Sequence, residues 1–595
     1  MNERDLRDLI SRVRRGRLSR RGFVKRMAAV GLGAPLAAQL LAHAGVAMAQ
    51  SRAAVYKPTK RGGGGALRVL WWQGPTLLNP HFAVGTKDQD GSRIFYEPLA
   101  GWDGDGNLRP VLAAEIPSRE NGGLAADGKS VTWKLKQGVK WHDGKPFTAD
   151  DVVFNWQYAK DPATAALTSG SYKDVEVEKI DSHTVKVKFK QPTPFWADAF
   201  VGTFGMIIPK HLFADYMGAK SREAPTNLKP VGTGPYMFKD FKPGDFVSGV
   251  INPDYHQPNR PHFDSIEMKG GGDAVSAARA VLQTGEYDFA WNLQVEDEIL
   301  LRLEKGGKGR VVLTEGGGIE RIQLNSTDPW TEVDGERSSL KTKHPTLSDK
   351  AVRQALALLV DRTSVEKHIY GRTGVATAHI VNNPKRFRSN AKFEFNIDKA
   401  NAILDKAGWK KGADGIREKD GKKLKFVYQT SINQPRQKTQ AIVKQACQKA
   451  GIDIEVKAVT ASVFFSSDVA NPDTYTKFYA DLQMYTTNTG VDPERFWRCG
   501  LSWEAGTRAN KWQGRNTTRW QSKEFDDTFN AAVVELDPIK RAALFIKLND
   551  LTVNDQVQIP VVARLGAAGV AHSLKLELSG WDNNTFDLAN WYKEA

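Results

Sequence analysis

Along this chain the spacing of apolar residues switches between a period of two and a period of about 3.6, and the switches delimit its elements. Leu67-Arg68-Val69-Leu70-Trp71 predicts a first strand. Val131, Trp133 and Leu135 alternate with Thr132, Lys134 and Lys136, the pattern of a half-buried strand. A turn follows at His142-Asp143-Gly144-Lys145-Pro146, and Thr148-Ala149-Asp150-Asp151 has the spacing of a capping box, opening a helix through Val152, Val153 and Trp156. Val175-Glu176-Val177 and Val185 to Phe189 flank Asp181-Ser182 as a hairpin. Farther on, Thr346-Leu347-Ser348-Asp349 reads as a second capping box before the stripe Val352, Ala355, Leu356 and Leu359. Asn396 is placed to cap a helix with the stripe Ala400, Ile403, Leu404 and Ala407, stopped by Gly408. A strand from Leu424 to Thr430, a helix from Gln437 to Ala450 and a strand through Ile452, Ile454 and Val456 imply a parallel pair with a right-handed crossover. The class is α/β with added antiparallel hairpins.

The first 49 residues depart from this pattern. Arg12, Arg14, Arg15, Arg17, Arg20, Arg21, Lys25 and Arg26 precede an apolar run from Met27 to Met48, which ends in the small-x-small site Ala47-Met48-Ala49. Ser19-Arg20-Arg21-Gly22-Phe23-Val24-Lys25 has the form of a twin-arginine export signal. Gly31, Gly33, Pro35 and His43 interrupt the run, which argues against a spanning helix. Residues 1–49 are therefore read as a cleaved signal and 50–65, with its KPTKRGGGG stretch, as a flexible leader. Loss of the signal lowers the net charge of +16 to about +9. The remaining charges alternate in sign, so no nucleic-acid partner is expected. The two cysteines, Cys447 and Cys499, make no disulfide framework, and Cys447 reads as buried and unpaired. With no cysteine at the mature start, a free periplasmic protein is expected rather than a lipid-tethered one, with the twin-arginine translocase as its export partner. About 545 mature residues exceed one core, so at least two domains are expected.

Signals for catalysis are thin. The chain has no H-E-x-x-H, C-x-x-C or G-x-S-x-G motif, and the runs Gly62–Gly65, Gly270–Gly272 and Gly316–Gly318 lack phosphate-loop spacing. No enzyme activity, cofactor or metal is expected.

Four segments together resemble one family. They are Thr76-Leu77-Leu78-Asn79-Pro80; Val131 to Val152, with its VTWKLKQGVKWHDGKPFTADDV sequence; Val231-Gly232-Thr233-Gly234-Pro235-Tyr236 continuing to Asn252-Pro253-Asp254-Tyr255; and Leu347 to Leu356 with Asp361-Arg362. The chain is similar to the family 5 extracellular solute-binding proteins of ABC importers, whose members bind dipeptides, oligopeptides, nickel chelates, oligosaccharides or opines. Within these segments Gly138, Gly144, Gly232 and Gly234 read as turn formers. The resemblance implies a two-lobed α/β periplasmic binding protein with an additional α+β domain inserted in the first lobe. Lobe I is then 66–85, 206–320 and 560–595, the extra domain 86–205 and lobe II 321–559. Crossings between lobes are expected near Glu320–Asn325 and Gln558–Ala563, and Leu574 to Trp591 should return to the first lobe. The resemblance further implies a ligand cleft lined by Trp72, Gln73 and Gly74 after the first strand and by the loop Tyr485 to Pro493 before an aromatic-rich helix, with Tyr485, Thr486, Asn488, Asp492 and Trp497 as candidate contacts. Peptide-binding members carry an Asp in that loop for the peptide ammonium. Asn488 stands at the best-matched position and carries no charge, unless Asp492 substitutes. Sixteen tryptophans leave room for stacking at the cleft as well as for core packing, with Trp71, Trp72, Trp497 and Trp503 nearest it. The expected role is capture of a small-molecule or peptide-like solute for an inner-membrane ABC permease; a non-peptide solute, a sensor or a twin-arginine-exported enzyme on the same fold are the alternatives.

Overall fold

The computed structural model describes residues 56–466 and 470–594, together with Leu9, Arg12, Leu18 and Phe23; the rest of the export signal and the start of the leader lie outside the described residues. Strand β1 (Ala66–Trp71) is followed by an inserted segment holding β2 (Ser130–Lys134), helix α1 (Ala149–Lys160), β3 (Val175–Asp181) and β4 (Thr184–Phe189). The chain continues through β5 (Tyr236–Lys242), β6 (Phe246–Ile251), β7 (Ser265–Gly270), β8 (Phe289–Ala290) and β9 (Gly309–Thr314). The second half supplies β10 (Gly317–Leu324), α2 (Lys350–Leu358), β11 (Gly374–Ala376), α3 (Ile397–Lys406), β12 (Lys425–Ser431), α4 (Gln434–Lys449), β13 (Asp453–Val459), β14 (Leu482–Thr489), β15 (Gln558–Arg564) and β16 (Gly566–Ala571).

Two sheets organise two lobes. The first has the order β9-β16-β8-β1-β7-β6-β5, with β1 parallel to both neighbours and the flanking pairs antiparallel. The second has the order β11-β15-β10-β14-β12-β13; β14, β12 and β13 run parallel, and the other pairs are antiparallel. The β12–α4–β13 unit gives the parallel pair that the sequence implies, in register from Lys425↔Asp453 to Ser431↔Val459. In the second sheet Gln429, Gln483, Gln323 and Gln558 occupy one cross-strand row. Gln429 Nε2 donates to Gln483 Oε1 (3.1 Å), and Gln483 Nε2 donates to Gln323 Oε1 (2.9 Å). A buried amide row of this kind fixes register, because a one-residue slip would leave each amide without its partner.

The chain passes between the sheets twice, at residues 315–316 between β9 and β10 and at Leu565 between β15 and β16. These crossings replace the expected ones: Glu320–Leu324 and Gln558–Ala563 lie inside strands of the second sheet. Apolar pattern alone did not locate them, because β10 and β15 are buried almost throughout and present no break at the hinge.

The inserted segment folds as a three-stranded sheet, β2-β4-β3, packed with α1. Its core is continuous with that of the first lobe: Trp133, Val152 and Val187 belong to the same apolar cluster as Leu67, Trp71 and Met268. Leu574, Leu588 and Trp591 from the C-terminal segment complete that cluster. Asp90 fastens this segment, accepting from Trp71 Nε1 (3.0 Å) and from Asn584 N (2.8 Å).

Local signals explain most helix starts. Thr148 and Asp151 form the expected reciprocal capping box on α1, and Asn396 accepts from Lys399 N at the start of α3. The cap of α2 is Asp349, which accepts from Ala351 N (2.9 Å); Thr346 and Leu347 instead donate their amides to His344 Nδ1. Helix α4 begins at Gln434, ahead of the expected Gln437, because Asn433 caps it and Pro435 is tolerated in a first turn.

Gly138 and Gly144 are turn formers with positive φ, but Gly232 is required for another reason. A Cβ there would sit 1.8 Å from the carbonyl oxygen of Phe95, where two backbone segments meet. Gly232→Ala is therefore expected to destabilise the protein by about 3 kcal/mol or more, read as a lower chemical-denaturation midpoint. A wild-type midpoint would refute that packing argument.

Candidate functional site

The ends of β14, β12 and β15 and the start of β10 point at the first lobe, because the crossings lie there. Asn433, which follows β12, caps α4 at the same edge. One side of this edge is a charged network. Glu320 on β10 is 1% exposed and accepts from Arg436 Nε (3.2 Å) and Nη2 (3.2 Å) and from the hydroxyl of Thr486. Arg436 also donates to Thr486 Oγ1 (2.7 Å) and Ser431 Oγ (2.9 Å). Burial raises the Glu320 carboxyl, but Arg436 and Arg564 outweigh it, so the group is held below its ordinary value. Arg564, at the end of β15, reaches Thr486 Oγ1 (3.4 Å) and crosses to Asn292 of the first lobe. Asn433 donates to Gln294, and Lys438 pairs with Glu296, so lobe-to-lobe polar contacts surround a narrow interlobe pocket. Leu293, Gln294, Glu320, Tyr370, Asn433 and Arg564 line it.

The other side of the same edge is aromatic. Tyr485 packs with Phe464, Phe465 and Tyr475, with the Tyr475 and Tyr485 ring centroids 4.8 Å apart. Beyond it, Arg495 spans from the second lobe to the inserted domain: Nη1 donates to Ser171 Oγ (2.8 Å), and the guanidinium carbon lies 3.7 Å from the Phe204 ring centroid. Burial, with Arg515 nearby, lowers Arg495 to about 10.

The candidate contacts from sequence separate into two groups. Trp72 is half-buried at the end of β1, with Nε1 donating to Asn292 O (3.1 Å), and Gln73 is partly exposed beside it. Thr486 belongs to the charged network, Tyr485 to the aromatic side, and Asn488 is exposed on β14 opposite Gly318. These five share the interlobe edge. The other three have internal duties. Gly74 lets β1 approach another backbone, since a Cβ would lie 2.5 Å from Gly244 O. Asp492 is buried and bound by both terminal nitrogens of Arg541, so its charge is already matched. Trp497 is 0% exposed and packs on Phe496 and Phe525 in the core of the second lobe. Of the other tryptophans singled out, Trp71 is core and Trp503 is 57% exposed.

Glu320, Arg436, Arg564 and Gln294 were not singled out from sequence, because they come from four distant segments. The Asn433-Gln434-Pro435 helix start was the one local signal near them. Both cysteines are free and buried. Among the described residues there is no cluster of three or more His, Cys, Asp or Glu arranged to hold a metal, and no helix long and apolar enough to cross a membrane.

Residues 107–503 match the family described as bacterial extracellular solute-binding proteins, family 5 Middle. Among curated relatives, the oligopeptide-binding protein AppA of Bacillus subtilis is 32% identical over 396 residues, covering 65% of this chain and 67% of its own. The glutathione-binding protein GsiB of Escherichia coli is 25% identical over 492 residues, covering 82% and 86%. Among solved structures, Bacillus subtilis AppA in complex with a nonapeptide superposes with a TM-score of 0.75 at 25% identity, over 91% of this chain and 100% of the other. Campylobacter jejuni NikZ in complex with Ni(L-His) superposes with a TM-score of 0.74 at 23% identity, over 89% and 99%, and shares the fold. On the family match and the AppA relationship, this chain belongs to the family 5 bacterial extracellular solute-binding proteins.

Proposed function

We propose that this protein captures a peptide-like solute between its lobes and delivers it to an ABC permease, performing no catalysis itself. The observation that carries the reading is the interlobe edge: one face aromatic, one face charged, with polar groups of both lobes within bonding distance. Similarity to oligopeptide- and glutathione-binding relatives supports a peptide-like ligand. The described partition follows the crossings, with the second lobe spanning 316–564 and the inserted domain moving with the first lobe. Binding is then a population shift toward the closed form, driven by differential affinity for the two forms.

Ligand stabilises only the form that binds it, so a cognate peptide raises Tm by mass action. Screening peptides of two to nine residues by thermal shift is the direct test. No stabilisation by any peptide at millimolar concentration would overturn the peptide reading. With a binding peptide in hand, Asn488→Ala is expected to weaken binding by about 1–3 kcal/mol, the cost of a lost polar partner at a closing interface; unchanged affinity would remove Asn488 from the contact surface.

Export through the twin-arginine route to the periplasm belongs to the same proposal, supported by Arg20-Arg21 within the Ser19–Lys25 motif. Replacing both arginines with lysine is expected to leave the protein in the cytoplasm. Normal periplasmic yield from that variant would exclude the route.

A further inference from the structure

The second lobe meets the inserted domain through the loop after β14, from Val491 to Arg495. This loop is held firmly to its own lobe. Asp492 is bound by both terminal nitrogens of Arg541, and Arg386 Nη2 donates to the Val491 carbonyl (3.1 Å). The short helical turn Glu494–Trp497 buries Phe496 and Trp497 in the core of the lobe. The result is a stiff prong that carries two side chains, Val491 and Arg495, to the inserted domain.

Both side chains meet seats that are themselves fixed. Val491 lies over Gly106: a Cβ on that glycine would sit 3.1 Å from Val491 Cγ1 and 3.6 Å from the indole nitrogen of Trp581. Gly106 closes a turn with its amide donating to Asp103 O (2.9 Å), and Ser579 Oγ donates to the same carbonyl (3.0 Å), which ties the segment of Trp581 to that turn. Arg495 enters the second seat. Its Nη1 donates to Ser171 Oγ (2.8 Å), the Phe204 ring centroid lies 3.7 Å from the guanidinium carbon, and Asp198 Oδ1 faces Nη1 at 3.9 Å. Tyr172, next to Ser171 in the chain, donates its hydroxyl to Phe204 O (3.1 Å) and so joins two sides of the seat. A cation on an aromatic face gains more where water is excluded, and Ser171 is 5% exposed.

The hinge supplies a further fixed point beside them, because Gly316 of the first crossing bridges Gly580, the residue before Trp581. Two bodies joined at a ribbon and at two further seats have one relative angle at which every contact is made. We infer that the Val491–Arg495 prong is a catch that, seated on the inserted domain, holds the lobes at the closed angle whatever solute lies between them. All its partners are protein groups, so its contribution is the same for every solute. The inserted domain is then a working part of closure, and the internal lock of Asp492 by Arg541 is what keeps the prong stiff.

The test is small-angle X-ray scattering of the mature protein without added peptide, for wild type, Arg495→Gln, Arg495→Lys and Phe204→Leu. Arg495→Gln and Phe204→Leu break one contact from opposite sides of the gap. Each is expected to enlarge the radius of gyration, with the ratio of closed to open forms falling about fivefold or more. Arg495→Lys keeps the charge and should fall between them and wild type. Circular dichroism identifies a variant that does not fold, and the variant on the other side then decides. Scattering identical to wild type from a folded Arg495→Gln or Phe204→Leu overturns the inference, as does a wild-type curve that fits only an opened pair of lobes. With a binding peptide in hand, the same variants should weaken every peptide by one common factor, since the closed fraction falls equally for all. A loss confined to particular peptides would make Arg495 a solute contact and overturn the catch. The scattering needs no solute, so its outcome is separate from that of the peptide reading.

Discussion

Arg541→Ala is expected to destabilise the protein by about 3–5 kcal/mol, because it strips the partner from a buried carboxylate. Asp492 lies in the loop that the family resemblance assigns to ligand, yet both its oxygens are held by Arg541, and Oδ1 also accepts from Glu494 N (3.0 Å). Arg541 is itself fixed by the Ala532 carbonyl (3.0 Å) and reaches Glu494 Oε2 (3.3 Å). Burial, with the negative charge of Asp492 beside it, already lifts Glu494 to about 7. Without Arg541 two carboxyls would face each other in a closed site, and one would take up a proton. The measurement is equilibrium denaturation of the purified variant, beside the affinity of its folded form. A loss below about 1 kcal/mol, the range of an exposed pair, would mean that solvent reaches Asp492 and would return it to the list of possible ligand contacts.

Glu320→Gln is expected to cost a similar amount, about 3–5 kcal/mol at neutral pH, because buried Arg436 would lose its carboxylate partner. The pH dependence distinguishes this loss from simple misfolding. The folded-state pKa of Glu320 lies below its usual 4.5. Its contribution is therefore fully present above that value and is lost as pH falls through the folded pKa. The gap between wild type and variant should be constant from neutral pH down to about 4.5 and should narrow below it. A gap unchanged in acid would show that the charge of Glu320 is not what stabilises the network. His81 and His142 act in the same direction at higher pH. Burial depresses both to about 4, so stability common to wild type and variant is lost as pH falls from 6.5 toward 4.

Local chemistry was legible in the sequence. The Thr148 box and the Asn396 cap are each specified by residues within a few positions of one another, and the β12–α4–β13 crossover by three consecutive segments; they stand where the pattern puts them. The hinge was not legible, because a strand buried on both faces reads the same on either side of a bend. Tyr485, Thr486 and Asn488 reached the interlobe edge by family resemblance, since their strand ends there. Asp492 and Trp497, from the same stretch, turn inward to Arg541 and Phe525, and nothing within the stretch foretells it. The charged network was invisible for a related reason. Glu320, Arg436 and Arg564 are separated by more than a hundred residues each, and only the sheet order brings them together.

The two crossings also bear on how such a chain can be cut and rejoined. Thr314 stands opposite Gly566 in one sheet, and Ile319 stands opposite Ala563 in the next, so both passages run side by side as a two-stranded ribbon. The whole second lobe is thus an excursion whose entry and exit are neighbours, and to the first lobe it is equivalent to a long loop on a hairpin. New termini opened at this ribbon, with the original ends joined by a short linker, would keep every strand pairing on both sides. The same geometry lets a reporter protein be placed at the ribbon, where its two attachment points would be displaced by any change in the angle between the lobes.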